Sequence, residues 1–240
     1  METQNSKTRV KAGNPKGVMA WVSQLAFATV IAWILLFLSA GRLDWMGGWA
    51  FFGLNMATQL LSAALLIPRS PDLLAERSKV GKGTRNWDRF FAPAVMVVGT
   101  LGVIVTAGLD ARFGWSKPIS PDLWWAALCI AFLSQLFVLW AMASNRFFAT
   151  TVRIQEERGH QVVDTGPYRY VRHPGYAGSI LYTLAIPIIL GSWWTFIPGA
   201  VTVVLLIIRT RLEDRTLQAD LPSYQNYTQR TMYRLFPGVW

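Results

Sequence analysis

The sequence predicts an all-α, polytopic membrane protein with about six transmembrane helices, the last two forming a C-terminal helical hairpin. Three observations predict it. Of 240 residues, 52% are hydrophobic and only 15% charged, against roughly 25% charged in ordinary soluble domains. Apolar runs of membrane-spanning length recur along the chain. Finally, 20 of the 23 Lys and Arg fall in alternate polar segments between those runs, as expected when cytoplasmic loops retain positive charge.

The elements follow in order. Residues 1–17 read as a flexible polar N-terminus. Uncharged runs at 18–40, 46–68, 91–109 and 123–143 each approach the roughly 20 residues that a helix needs to cross a bilayer. Together, residues 18–143 read as a four-helix transmembrane region. Two shorter runs, 176–190 and 193–208, are separated only by Gly191 and Ser192, which predicts a tight hairpin. Pro187 and Pro198 lie inside these runs and predict a kink or tilt. Six crossings and the basic asymmetry place both termini in the cytoplasm. The first run is too long for the apolar region of a secretory signal.

The net charge of +10 is explained by this topology, so nucleic acid is not an expected partner, whereas the lipid bilayer is. The single cysteine, Cys129, and the two histidines, His160 and His173, exclude a disulfide framework and a His- or Cys-rich metal centre. No metal is expected. The 12 Trp suit the bilayer interface, where a ring is apolar at one end and wet at the other.

The chemistry is expected in the polar segments of residues 144–240. The first begins at Asn145 as a charged extension of the fourth helix and is punctuated by Gly159, Gly166 and Pro167. Tyr168, Tyr170 and Tyr176 surround Arg169, Arg172 and His173. Pro174 pushes His173 toward extended backbone and opens the fifth helix. Exposed amides and carbonyls beside a helix N-terminus suit an anionic group, and the rings offer stacking faces for a purine or a cation. Read more plainly, Arg and Tyr at such a boundary are interface anchors.

The second segment leaves the sixth helix at Arg209, Arg211, Glu213, Asp214 and Arg215. Arg209 and Glu213 are four apart and share a helical face. On a surface they would make a weak ion pair. Here the helix is leaving the bilayer, where ionisable groups usually face protein or a wet cavity. The hairpin returns this helix end to the start of the fifth, beside His173.

These residues carry a resemblance. Gly166, Tyr168, Arg172, His173, Pro174, Tyr176 and Gly178 resemble the G-x-Y-x-x-x-R-H-P-x-Y-x-G signature of the isoprenylcysteine carboxyl methyltransferase family, to which phospholipid methyltransferases are similar. Arg209, Glu213, Asp214, Tyr224, Tyr227 and Pro237 resemble its C-terminal R-x-x-x-E-E…Y-x-x-Y…P pattern, with Asp214 standing where the second Glu is usual. A weaker echo lies in Pro71, Asp72, Leu73, Leu74, Ala75, Glu76 and Arg77. The resemblance implies an integral membrane methyltransferase that uses S-adenosyl-L-methionine (SAM) in a cytoplasmic pocket built by residues 144–240. A lipophilic or small apolar acceptor would enter from the bilayer. It implies cofactor contacts at Gln155, Tyr168, His173, Pro174, Tyr176 and Gly178, and a catalytic pair at Arg209 and Glu213.

In such a reaction the residues position rather than react covalently. Arg209 would orient a carboxylate acceptor through its planar fork, with Glu213 fixing Arg209. For an amine or thiol acceptor, Glu213 would be the base. The competing readings are an NADPH-dependent sterol-type reductase, which would want more basic residues for its phosphates, and a non-catalytic membrane protein.

Overall fold

The computed structural model describes residues 15–79 and 83–240, and every regular element among them is helical. Most of the polar N-terminus expected at 1–17 therefore lies outside the described residues. Its last three positions already belong to α1 (Pro15–Ala40). A five-residue link leads to α2 (Met46–Arg69), and the short α3 (Pro71–Arg77) folds back beneath it. The third span is built from α4 (Asp88–Met96), a π-helical turn at Val97–Gly102 and α5 (Val103–Phe113). Then come α6 (Pro121–Ser144), α7 (Pro174–Ile189), α8 (Phe196–Asp220) and α9 (Tyr224–Arg230).

Four spans are long and apolar enough to cross a membrane: α1, α2, the continuous Asp88–Phe113 stretch and α6. Large apolar side chains on them face outward, with Phe27 70%, Leu60 62% and Leu133 63% exposed. A soluble surface does not carry so broad an apolar cover, whereas lipid does. Hydroxyls inside the helices bond back to their own backbone: Thr58, Ser134, Thr183 and Thr202 each donate to the carbonyl four residues earlier. Without water in the bilayer core, a helix must satisfy its polar groups internally. Other bonds cross between helices, as from Thr29 to Gln59 and from Tyr182 to Asn55.

The hairpin forms, but its link is longer than the expected Gly191 and Ser192: it spans residues 190–195, between Ile189 and Phe196, because Ser192 N–H donates to the Pro187 carbonyl at 2.9 Å and holds a wider turn. Pro198 sits in the first turn of α8, where a missing N–H costs nothing. One expectation fails. The segment at Asn145 does not extend α6. Asn145 is extended (φ −125°, ψ 103°), and its side-chain Oδ1 accepts from the Phe147 N–H at 2.8 Å. That local bond competes with the helix and ends it.

The short turns gather at one end of the bundle, where Ser116 Oγ accepts from the Trp193 N–H and the Trp124 indole donates to the Ile189 carbonyl. The long polar connectors gather at the other end. Arg85 pairs with Asp220 there, Arg153 with Glu76, and Asp88 with Arg209. The fold thus delivers the charged segments to a single face.

Candidate functional site

Helix α7 begins at Pro174, which keeps His173 out of the helical region; His173 stands at φ −127°, ψ 62°, short of the extended backbone expected there. Its first residues pack tightly. A Cβ at Gly175 would meet the Phe148 ring at 2.7 Å, and one at Gly178 would meet Val138 at 2.7 Å and the Ser134 carbonyl at 2.9 Å. Gly178 therefore lies in the seam between α6 and α7, where glycine permits close approach.

The returning helix α8 meets this start, so the two clusters converge. The Tyr176 hydroxyl donates to Glu213 at 2.5 Å, and the Arg209 guanidinium lies over the Tyr176 ring, 5.5 Å from its centre. Arg209 and Glu213 share a helical face, but Glu213 does not hold Arg209. The partner is Asp88, at the start of α4, with bonds of 2.7 and 3.0 Å from Arg209 Nε and Nη2. Nη2 also donates to the Thr150 carbonyl at 2.8 Å. Asp88 is fully buried, and its Oδ2 also accepts from the Val152 N–H at 2.6 Å. The planar fork expected to grip an acceptor is thus occupied by Asp88. Of the three Arg209 guanidinium nitrogens, only Nη1 meets no acceptor among the described residues.

One turn below, Asp214 is the centre of a second buried group. Its oxygens accept from Arg234 Nε at 2.8 Å, Gln218 Nε2 at 2.8 Å and the Tyr224 hydroxyl at 3.0 Å. His173 Nε2 lies 3.3 Å away and Arg172 Nε 3.1 Å away. Burial alone pushes the Asp214 carboxyl up; the contacts from His173, Arg234 and Arg172 outweigh it and hold the group well below the usual carboxylate range. The sequence reading gave Asp214 no role, and Asp88 was not singled out. An acidic residue at the start of a helix reads locally as a complement to the helix dipole, so Asp88 carried no distinctive signal.

The tail closes over this group. The N–H groups of Arg172 and His173 donate to the carbonyls of Tyr233 and Arg234, both at 2.9 Å. The extended amides expected to be open to a ligand are therefore engaged by the chain itself. The Tyr227 hydroxyl donates to the Tyr168 carbonyl at 2.7 Å. Tyr168 is buried, and burial raises its phenol above the usual range. Pro174 is buried too.

Gln155 is fully buried within the connector. Its Nε2 donates to the Phe147 carbonyl at 2.7 Å, and its Oε1 accepts from Arg158 at 2.5 Å. His160 stacks on Phe147, ring centres 4.5 Å apart, and its Nδ1 accepts from the Gln155 N–H at 3.3 Å. Burial, helped by Arg153 and Arg158, lowers the His160 imidazole from 6.5 to about 4. The structure thus brings Tyr176, Arg209 and Glu213 together, joins His173 to Asp214 beside them, and engages Gln155 inside the connector.

The profile of the isoprenylcysteine carboxyl methyltransferase (ICMT) family matches residues 126–219. The uncharacterized protein YpbQ of Bacillus subtilis (strain 168) is 35% identical over 165 residues, covering 66% of this chain and 95% of that protein. The chain belongs to the ICMT family. It is an integral membrane methyltransferase by that membership, with its ICMT-matched span running from within α6 to the end of α8. A structure of the eukaryotic intramembrane Ras methyltransferase ICMT is similar over 91% of this chain and 85% of that chain, with a TM-score of 0.47 and 15% identity.

Proposed function

We propose that the protein transfers a methyl group from SAM to a lipophilic acceptor, using residues 144–240 as a cofactor-binding catalytic region at the cytoplasmic end of six crossings. Both termini lie on that same side. The observation that carries this reading is the coincidence of the family-matched span with the Tyr176–Glu213–Arg209 group. The basic asymmetry of the loops supports the orientation.

The donor set fits the cofactor. A carboxylate, Glu213, and the ring face of Tyr176 suit a cation, and His173 lies beside them with its ring centre 6.0 Å from that of Tyr176. When bound, SAM supplies a methyl group already activated on a sulfonium. The work left to the chain is positioning. His173 and Pro174 set the entry of α7, and Tyr168 is fixed from the tail by Tyr227. Tyr176 holds Glu213 in place. Asp88 keeps the Arg209 guanidinium turned so that Nη1 remains for the acceptor. Glu213 is the group placed to take a proton from a protic acceptor. Gly178 contributes by letting α7 lie against α6, and Gln155 by holding the connector in shape.

The test is transfer of labelled methyl from SAM into lipid, thiol and small-molecule extracts, with purified protein in nanodiscs. We expect incorporation into an apolar fraction, and thermal stabilisation by SAM. Stabilisation by NADPH alone, with no methyl incorporated, would overturn the reading.

A further inference from the structure

Arg77 ends α3, and its guanidinium lies over the Phe148 ring, 5.3 Å from the centre. Its Nε and Nη1 are sealed from solvent and meet no hydrogen-bond acceptor among the described residues. The neighbouring acid is taken, since Glu76 pairs with Arg153 and Lys79. Burial lowers the Arg77 guanidinium to about 10, so it stays cationic near neutrality. Two sealed N–H groups without an acceptor are costly, and one ring face recovers only part of that cost. An arginine that merely packed its stem would place its whole head in water; here Nε and Nη1 are withheld from it.

Its place in the fold connects it to the polar end. The Phe148 ring under Arg77 presses on Gly175, in the first turn of α7. Two residues later, the Thr150 hydroxyl reaches the Arg77 carbonyl at 3.5 Å, while the Thr150 carbonyl receives Arg209. One connector therefore carries both the ring that supports Arg77 and an acceptor for Arg209.

We propose that Arg77 binds the carboxylate of the amino-acid portion of SAM, an inference that rests on the methyl-donor reading above. That carboxylate is the one anionic group of a molecule that otherwise offers a sulfonium, an ammonium and neutral rings. It supplies the acceptor that the sealed nitrogens lack, and guanidinium and carboxylate match as planar partners.

The experiment is calorimetric titration of the purified full chain with SAM and with decarboxylated SAM, in the absence of acceptor. We expect the wild-type protein to bind SAM at least about tenfold tighter, the scale of a hydrogen-bonded charge pair. Arg77→Gln should bring SAM down to the level of decarboxylated SAM and leave the latter unchanged. Arg77→Lys should fall between. A merely structural role would weaken both ligands equally. Equal wild-type affinity for the two ligands, or discrimination intact in Arg77→Gln, overturns the inference and leaves the methyl-donor reading standing. If Arg77→Gln does not fold, the wild-type ratio and Arg77→Lys still decide. Binding of neither ligand by the wild-type protein overturns the methyl-donor reading itself, and this inference with it.

Discussion

Arg209 and Asp88, 121 positions apart, form a buried two-pronged ion pair that ties the exit of α8 to the start of α4. Removing one member of such a pair leaves an uncompensated charge, at a cost of about 3–5 kcal/mol. Asp88→Asn should therefore lower the melting temperature in detergent and abolish most methyl transfer. Arg209→Lys should be nearly as poor, because an ammonium cannot hold both carboxylate oxygens and Thr150 in one plane. Wild-type turnover in Asp88→Asn would show that the pair does not position the site.

Tyr176 and Glu213 should act as a unit. Tyr176→Phe removes only the hydroxyl that donates to Glu213. If that bond sets the carboxylate, Tyr176→Phe and Glu213→Gln should each lower the rate, and the double variant should be little worse than the poorer single. A coupling energy of about 0.5–3 kcal/mol in the rate cycle is expected; additive losses would separate the two residues functionally.

Asp214 accepts from four side chains, those of Arg172, Gln218, Tyr224 and Arg234, and faces His173 as well. Asp214→Asn replaces an oxygen with an N–H donor among Arg172, Arg234 and His173. It should reduce the yield of folded protein more than Glu213→Gln does, as read by the monodisperse fraction after size exclusion. Its depressed titration also gives a sign. The stabilisation is complete above the unfolded carboxylate range and is lost as pH falls through the folded value, below about 4.

His160 gives a separate pH window. Its imidazole drops from 6.5 to about 4 on folding, so the unfolded chain takes up the proton first. Stability should decline as pH falls from 6.5 toward 4 and be unaffected above that range. Protonation also removes the Nδ1 acceptor used by Gln155. His160→Phe, which keeps the stacking on Phe147, should flatten the decline in thermal unfolding between those limits. An unchanged slope would mean that His160 titrates normally.

The topology is tested with single cysteines in a Cys129→Ala background, at Asp44 and at Glu156, both exposed. Labelling of intact cells with an impermeant maleimide should modify Asp44→Cys and spare Glu156→Cys. Equal labelling would contradict the six-crossing arrangement.

The spans were legible because a bilayer imposes one crude condition, apolar length, and runs such as 18–40 and 123–143 meet it locally. The convergence of His173 with the Glu213 region was legible for a similar reason: a short link leaves a returning helix little freedom. What was hidden is non-local pairing. Nothing around Asp88 announces Arg209, and nothing in the R-H-P segment shows that the amides of Arg172 and His173 belong to Tyr233 and Arg234. The end of α6 was misjudged because a single Asn145 side-chain bond outweighed the charged continuation.

The pairing of residues 172–173 with residues 233–234 also imposes an order on biosynthesis. If α7 crosses the bilayer as proposed, it is made before the tail, so the amides of Arg172 and His173 first emerge without their partners. Asp214 likewise waits for Tyr224 and Arg234. This end of the molecule is therefore closed last. A chain lacking residues 233–240 would leave the amides of Arg172 and His173 without the carbonyls that engage them, and Asp214 without Arg234.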